Sequence, residues 1–393
     1  MEILETQSDP NTHGMSRREA LRRGLLGGAG LASLGSISSV LALADAHGVS
    51  AHELDASKGK MAKLIKSAKK EGKLNTIALP PDWADYGEII SKFQTKYGIS
   101  ITNTNPNGSS GEEIQALVSL KGQSRAPDVV DVGPSFADQG KTQNLFIPYK
   151  VSTWKTIPTN MKDPSGHWFG DYWGAQSFIT NLNVAKQAPK DFSDLTSPKL
   201  KGMVALDNDP RSATDAFSAV FAASLANGGS LNNIEPGIEF FAKLKRLGNF
   251  ITAAAHTAQI VQGATPIAIK WDYLNLADKV GNPNVKLAVT VPKHGAYGGY
   301  YCQAISTSAP NPAAAKLWME YLYSDEGQIL FLKGFTHPAR YLDLAKRGKI
   351  PKALAKRLPP ASSYKHVKFA SLSQIAAAAQ VMKDQWGPKV LGT

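Results

Sequence analysis

The sequence predicts an α/β protein of two lobes, each a mainly parallel sheet flanked by helices, with a cleft between the lobes. Two observations lead to this fold class. The chain has 393 residues, and the 349 that remain without the first 44 are more than one hydrophobic core usually serves. Strand patterns and helix patterns also alternate along the chain, which is typical of parallel sheets with right-handed crossovers.

The first 44 residues are predicted to be a twin-arginine signal peptide. Arg17 and Arg18 precede an apolar run, residues 25–43, which is rich in Gly and Ser and ends in the small-residue pattern Ala42-Leu43-Ala44. A retained membrane anchor is the alternative, because the run approaches the minimum spanning length. We expect export by the twin-arginine machinery, to the periplasm or to the outer face of the cytoplasmic membrane.

The composition argues against several functional classes. One cysteine, Cys302, allows neither an internal disulfide nor a thiolate metal cluster, and the eight histidines lack metal-ligand spacing. The net charge of +12 is spread over scattered lysines without interleaved aromatic residues, so nucleic-acid binding is not expected. The common catalytic and cofactor motifs are not found, so we expect no enzyme and no cofactor. A secreted hydrolase or transferase is the alternative class.

The first lobe is predicted to begin after a basic lead-in helix, residues 45–72. Its first part, residues 73–178, contains a capping box, Ser110 to Glu113, which opens a helix. Apolar periodicity predicts the other elements of this part. The strands are 74–79, 99–104 and 129–132, and the helices are 87–97 and 112–121.

The second lobe is predicted at residues 179–297, and residues 298–393 are predicted to form a crossing strand and helices that return to the first lobe. The pattern again alternates between strands and helices. The strands are 203–206, 266–270 and 285–291, the helices are 212–226 and 237–247, and the returning helices are 313–323, 326–333 and the 370s.

Four segments resemble the extracellular solute-binding proteins of ABC transporters, in the group of polyamine, ferric-iron, thiamine and aminoethylphosphonate binders. They are residues 73–97, 191–202, 265–273 and 315–328, although Phe192 stands where the family usually has Trp. The resemblance implies a type II-like periplasmic-binding-protein fold, a small-molecule ligand and a permease in the cytoplasmic membrane as partner. We expect a monomer.

Trp271, Asp272 and Tyr273 form the first candidate ligand site. A carboxylate beside aromatic faces suits a desolvated ammonium group, through charge pairing and cation–π attraction. Alternatively, Asp272 caps a helix and Trp271 packs in the core. Iron-binding relatives have adjacent tyrosines at this turn, so the resemblance disfavours iron here.

Trp83, Asp85 and Tyr86 follow the first strand and form a second aromatic and acidic set, where strand ends place ligand sites. Here too Asp85 could simply cap the next helix. In the predicted crossing strand, one of Tyr300 and Tyr301, or the nearby Tyr297, could line the cleft, because the alternating pleat turns the two neighbouring tyrosines to opposite faces.

Polar loops supply the remaining candidates. Asn107, Ser109 and Ser135 follow the second and third strands and could hold a polar or anionic group. Arg211 and Ser212 precede a helix and would suit a phosphonate or carboxylate, unless Ser212 is an ordinary cap. The sequence therefore favours an organic amine as ligand, with an aminoethylphosphonate-like zwitterion or ferric iron as alternatives.

Overall fold

The computed structural model describes residues 51–359, 361–364 and 366–393. The signal peptide predicted for residues 1–44 lies outside the described residues, as does the start of the lead-in helix. The described part of that lead-in is helix α1, Ala51–Glu71, which packs on a helix far along the chain, Pro312–Leu322. None of the helices in these ranges has the length and apolar character needed to cross a membrane.

The elements up to the first long strand follow the predicted alternation. In chain order they are β1 (Lys73–Ile77), α2 (Tyr86–Tyr97), β2 (Ser100–Thr104), α3 (Ser110–Ser119), β3 (Val129–Val132), α4 (Pro134–Thr142) and β4 (Phe146–Ile147).

The middle of the chain begins with a long strand and then alternates shorter elements. These are β5 (Trp168–Asn181), β6 (Val204–Leu206), α5 (Thr214–Ala226), α6 (Glu235–Arg246), α7 (Thr257–Gln262), β7 (Ile267–Trp271), α8 (Asp272–Gly281) and β8 (Leu287–Thr290).

The last part contains a second long strand and mostly helices. These are β9 (Gly298–Ser306), α9 (Pro312–Leu322), α10 (Asp325–Lys333), β10 (His337–Pro338), α11 (Tyr341–Lys346), α12 (Lys352–Ala355) and α13 (Leu372–Trp386), and a π-helical turn, Gly387–Leu391, follows α13.

The sheets are mixed, which differs from the mainly parallel sheets that the sequence predicts. β1 pairs with β2 and β6 pairs with β7 in parallel. The two long strands, β5 and β9, are antiparallel to each other and to all their other partners. The first part of β5 pairs with β9, and its last part pairs with β7 and β8. β5 therefore runs through both halves of the α/β fold.

The capping box of α3 lies one residue before the predicted one. The Ser109 backbone N–H donates to Glu112 Oε2 (2.7 Å), and the Glu112 N–H donates to Ser109 Oγ (3.4 Å). Ser110 and Glu113, the predicted pair, are buried instead. This one-residue shift matters because it turns Glu113 inward, where its Oε2 accepts the N–H of Asp131 (2.9 Å).

Candidate functional site

The elements before β5, from β1 to β4, are called the first group here, and those from β6 to β8 the second group. A cavity of about 280 Å³ lies where the two groups meet. One side is formed by the start of α3 and by β3, and the other by the start of α5, β7 and α8. Its walls are strongly acidic. Six carboxyl side chains line it, against two basic ones: the acids are Asp82, Glu113, Asp131, Asp207, Asp215 and Asp278, and the bases are His256 and Lys270.

Asp131 reaches the cavity from β3, in the first group of elements. Its side chain is 5% exposed. Oδ2 accepts hydrogen bonds from the hydroxyls of Tyr86 (2.7 Å) and Tyr172 (3.1 Å), whereas Oδ1 has no hydrogen-bond partner among the described residues. Burial raises the pKa of Asp131 to about 7.

Asp215 reaches the cavity from the first turn of α5, in the second group. Its Oδ1 accepts hydrogen bonds from the Gln176 side-chain amide (2.8 Å) and from the Trp271 backbone N–H (3.0 Å). Its Oδ2 is buried and finds no partner in the described chain. Burial, and then the charge of Asp207, hold the pKa of Asp215 well above its usual range.

Lys270 is the buried cation of this cavity, with 4% exposure. Its Nζ lies 3.2 Å from Asp278 Oδ2, and Asp278 also accepts a hydrogen bond from the Thr257 hydroxyl (2.7 Å). Burial opposes the charge of Lys270, but Asp278, Asp207 and Asp215 outweigh it and raise the pKa. Lys270 is therefore committed to carboxylates of its own half of the cavity.

The two halves of the cavity touch where α3 and α5 begin. The Ser110 and Thr214 hydroxyls lie 3.2 Å apart, and the Gly111 N–H donates to the Ser212 carbonyl (3.3 Å). At Gly133 a Cβ atom would lie 2.0 Å from Thr214 Oγ1, so only glycine permits this approach.

Three loop residues proposed from the sequence line the cavity, Trp83, Asn107 and Ser109, and so does Tyr301, one of the proposed tyrosine pair. Two others lie next to it without lining it. Tyr86 is fully buried and donates to Asp131, and Asp85 precedes α2 with a left-handed backbone and no capping hydrogen bond from its side chain.

The Trp271, Asp272 and Tyr273 cluster is buried behind the cavity. Asp272 accepts hydrogen bonds from the Ala175 backbone N–H (3.0 Å) and from the Tyr364 hydroxyl (2.5 Å). Burial raises the pKa of Asp272 to about 6. Its role in ligand binding stays a prediction.

The remaining candidates lie elsewhere. Ser135, Tyr297 and Tyr300 line a second, much smaller cavity of about 20 Å³. Arg211 is ion paired with Asp209 (2.6 Å), and neither it nor Ser212 lines the main cavity.

The sequence-based prediction did not include the carboxyl side chains that line the cavity, in particular Asp131 and Asp215. Asp131 stands in the strand Val129–Val132, and Asp215 in an otherwise apolar helix, Thr214–Ala226. An isolated acid in an apolar strand or helix is the signal that could have found both, because a buried carboxyl needs a specific reason to be there. No group of three His, Cys, Asp or Glu side chains suited to a metal ion occurs within the described ranges.

A family model described as bacterial extracellular solute-binding protein matches residues 124–374, which is more than half of the chain. The chain belongs to this family. A curated relative, an uncharacterized protein of Haemophilus influenzae, is 29% identical over 221 residues, or 51% of this chain. The match spans 60% of that relative's length.

Solved structures share the two-lobed fold at low sequence identity. The periplasmic binding protein AfuA of Actinobacillus pleuropneumoniae, with fructose-6-phosphate bound, is 19% identical with a TM-score of 0.66 and covers 82% of this chain and 99% of its own. Iron-bound HitA of Pseudomonas aeruginosa is 18% identical, with a TM-score of 0.61. The match covers 80% of this chain and 99% of HitA.

A third similar structure is the spermidine/putrescine ABC transporter substrate-binding protein PotD of Streptococcus pneumoniae, solved in complex with calcium and HEPES. It is 17% identical, with a TM-score of 0.54, and the match covers 80% of this chain and 99% of PotD. These three similar structures confirm the two-lobed α/β fold class. The predicted boundaries between the lobes stay a prediction.

Proposed function

We propose that this protein is the substrate-binding component of an ABC importer and that it captures a small organic amine, such as a polyamine. Membership of the solute-binding family supports the first part. The acidic cavity supports the second, because an ammonium group is the natural partner of buried carboxylates. As predicted from the sequence, the protein would work in the periplasm as a monomer, exported by the twin-arginine route.

The observation that carries the choice of ligand is a pair of carboxyl groups, one on each side of the cavity. Asp131 Oδ1 and Asp215 Oδ2 are both buried and have no hydrogen-bond partner among the residues that the structure describes. A buried oxygen without a partner costs about 1–3 kcal/mol, more when it is charged. A ligand with two amino groups would satisfy both oxygens, and Lys270 cannot do so while it pairs with Asp278.

Aromatic rings at the cavity support the same ligand class. Trp83 and Tyr301 both line it, with ring centroids 5.5 Å apart. Methylene groups of a polyamine can pack on such rings, and an ammonium over a ring face gains about 0.5–2 kcal/mol. Tyr273 lies against Trp83 from behind, with centroids 5.9 Å apart, and fixes its orientation.

The transport mechanism that follows is a shift of populations between open and closed forms. Asp131 and Asp215 belong to different halves of the cavity, so a ligand that contacts both binds the closed form better than the open one. The closed form is then the one presented to the permease in the cytoplasmic membrane.

An aminoethylphosphonate-like zwitterion is the second candidate. The first turns of α3 and α5 contribute Ser110 and Thr214 to the cavity, and helix N-termini favour anionic groups. Such a ligand would place its amine at the carboxylates and its acidic group at these helices. Arg211, which the sequence suggested for the acidic end, is held by Asp209 instead.

A thermal-shift screen tests the proposal. Putrescine, spermidine, aminoethylphosphonate, thiamine and ferric salts would each be added to the purified protein, because a ligand that binds only the native state raises the melting temperature. We expect the polyamines to give the largest shift. A larger shift with aminoethylphosphonate or ferric iron would replace the amine assignment, and conversion of any compound to a product would favour the hydrolase or transferase alternative.

A further inference from the structure

Two buried carboxyl groups flank one tyrosine hydroxyl directly behind the cavity. The Tyr86 oxygen lies 2.7 Å from Asp131 Oδ2 and 3.2 Å from Asp171 Oδ2. Asp171 is fully buried in β5, whereas Asp131 also lines the cavity. The Gln303 side-chain amide completes the cluster, since it donates to Tyr86 Oη (2.9 Å) and to Asp171 Oδ2 (3.1 Å).

The number of hydrogens in this cluster favours an additional proton. Tyr86 has one hydroxyl hydrogen, which the shorter distance assigns to Asp131. The two amide hydrogens of Gln303 serve Tyr86 and Asp171. The contact between Tyr86 Oη and Asp171 Oδ2 then has no hydrogen of its own, unless Asp171 is protonated and donates to the tyrosine oxygen.

The surroundings of the two carboxyl groups also favour protons on them. The titratable groups packed around them in the interior are acids and phenols: Glu113 on α3, Tyr86 on α2, Tyr172 on β5, Tyr273 on α8, Tyr301 and Cys302 on β9, and Tyr323 after α9. Across the cavity lie the acids Asp82, Asp207, Asp215 and Asp278 and the bases His256 and Lys270, and these two bases lie against Asp207 and Asp278. In the part of the chain that the structure describes, no Lys, Arg or His forms an ion pair with either carboxyl.

The pKa values of both groups are raised for the same reasons. Burial raises the pKa of Asp171 well above its usual range, and the negative charge of Asp131 adds to this effect. Burial also raises the pKa of Asp131, and the hydroxyls of Tyr86 and Tyr172 partly offset it. The two carboxyls cannot both ionise readily, and Asp131 ionises first because the pKa of Asp171 is raised further.

We propose that Asp131 gives up a proton when it receives the ammonium group of the ligand, while Asp171 keeps its own proton and holds Tyr86 in place. This inference rests on the amine-binding function proposed above. The proton leaves Asp131 for solvent through the cavity, the ammonium group keeps its protons, and the net charge of the site is unchanged by the exchange. Asp171 is thus a positioning residue that acts through Tyr86 and Asp131.

Proton exchange makes ligand affinity depend on pH. A protonated Asp131 cannot pair with an ammonium group, so acid competes with the ligand at this position. With half-protonation near pH 7, linkage predicts affinity about tenfold weaker at pH 6 than at pH 8. The primary ammonium groups of the polyamine stay protonated over this range and contribute no protons.

Calorimetric titration with spermidine measures the exchange directly. The titration would be run at pH 6 and pH 8, each in two buffers with different heats of ionisation, because the difference in apparent heat counts the protons released. We expect more proton release at pH 6 than at pH 8, because Asp131 contributes close to one proton at pH 6 and close to none at pH 8, whereas Asp215, whose pKa is raised further, contributes at both. Binding without proton release would overturn this inference and leave the amine function intact, whereas no binding of any amine would overturn the function itself.

Variants assign the proton to one carboxyl. In Asp131→Asn we expect weaker binding and about one proton fewer released at pH 6 than in the wild type. In Asp171→Asn, whose amide can donate to Tyr86 as the protonated acid does, we expect the proton release at pH 6 to persist. Asp209→Asn changes an acid outside the cavity and serves as control. Proton release at pH 6 that is undiminished in Asp131→Asn, or that falls in a folded Asp171→Asn, would overturn the assignment.

A measurement on the ligand-free protein covers the case in which Asp131→Asn does not bind. The carbonyl band of a protonated carboxyl group is followed by infrared difference spectroscopy between pH 5 and pH 9. We expect the wild type, and Asp171→Asn, to lose a band near pH 7 that Asp131→Asn lacks. The same titration in all three proteins would show that the proton belongs to another acid and would contradict the proposal.

Discussion

Asp272 is a buried carboxyl group whose ionised form is costly to the fold. Burial raises its pKa to about 6, although Tyr364 and Ala175 donate hydrogen bonds to it. The unfolded value is about 3.9. The stability that this group contributes is therefore fully present below the unfolded pKa and is lost as pH rises through about 6.

The substitution Asp272→Asn should therefore stabilise the protein at neutral and alkaline pH. Asparagine keeps an acceptor for the Ala175 N–H and loses the buried charge. We expect the free energy of unfolding at pH 8 to increase by up to about 3 kcal/mol, with a much smaller change at pH 4. Denaturant unfolding at the two pH values measures this, and a less stable variant at pH 8 would contradict it.

The same variant tests the sequence-based prediction that Asp272 pairs with the ligand's ammonium group. If it does, spermidine affinity should fall when the charge is removed. Unchanged affinity would take Asp272 out of the binding site and leave the acids that line the cavity as the partners.

Single residues of the site were predictable mainly where they stand in loops, apart from Tyr301 in β9. Trp83, Asn107 and Ser109 follow strands, and strand ends are where ligands bind in α/β proteins. Asp131 and Asp215 lie inside a strand and a helix, where apolar periodicity hides them. Their importance depends on which buried oxygens remain without a partner, and only the three-dimensional contacts give that information.

Helix α13 packs on the second group of elements through a large buried side chain, Trp386. Trp386 is 2% exposed, and its ring lies 5.5 Å from Phe241 and 6.1 Å from Phe250, measured between ring centroids. α13 also packs on α4, which belongs to the first group. This helix therefore joins both halves of the molecule away from the cavity.

We expect Trp386→Ala to lower the free energy of unfolding by about 3–5 kcal/mol, because it removes a buried aromatic side chain and leaves a cavity. Lys383→Ala, at an exposed position of the same helix, is the matched control and should change stability by less than about 0.5 kcal/mol. Denaturant unfolding compares the two variants. Equal stabilities would mean that α13 does not depend on this contact.

Strand β5 shows why some elements could not be predicted. It has 14 residues, nearly all of them buried, and it contains Gly170 and Gly174. A strand buried on both faces shows no alternation, and glycine weakens the strand pattern further. Helix α2, by contrast, has one buried face, and its predicted bounds, 87–97, agree with Tyr86–Tyr97 to one residue.

At the scale of the whole molecule, the sequence predicted the fold class but not the strand directions. Alternating strands and helices favour parallel sheets in general. Here β5 and β9 lie far apart in sequence and pair in antiparallel fashion, with Trp168 opposite Ala304 and Ala175 opposite Gly298. Local patterns contain no information about pairing between strands that are so distant in the chain.

The proposed closure of the two halves on the ligand should be visible in solution. The contacts between Ser110 and Thr214, and between Gly111 and Ser212, join the halves at the cavity, and an open form would have to break them. We expect small-angle scattering to give a smaller radius of gyration with saturating spermidine than without it. Identical scattering curves would argue against capture by closure.

We propose that buried carboxylates of the cavity capture an organic cation. Calorimetric titration with spermidine measures that capture. The wild type would be compared with Asp215→Asn, which keeps the acceptor for Gln176 and Trp271, and with Asp209→Asn, an acid paired with Arg211 outside the cavity. We expect Asp215→Asn to weaken binding at least about tenfold, or about 1.4 kcal/mol, and Asp209→Asn to bind as the wild type does. Equal affinity in all three proteins would contradict the claim.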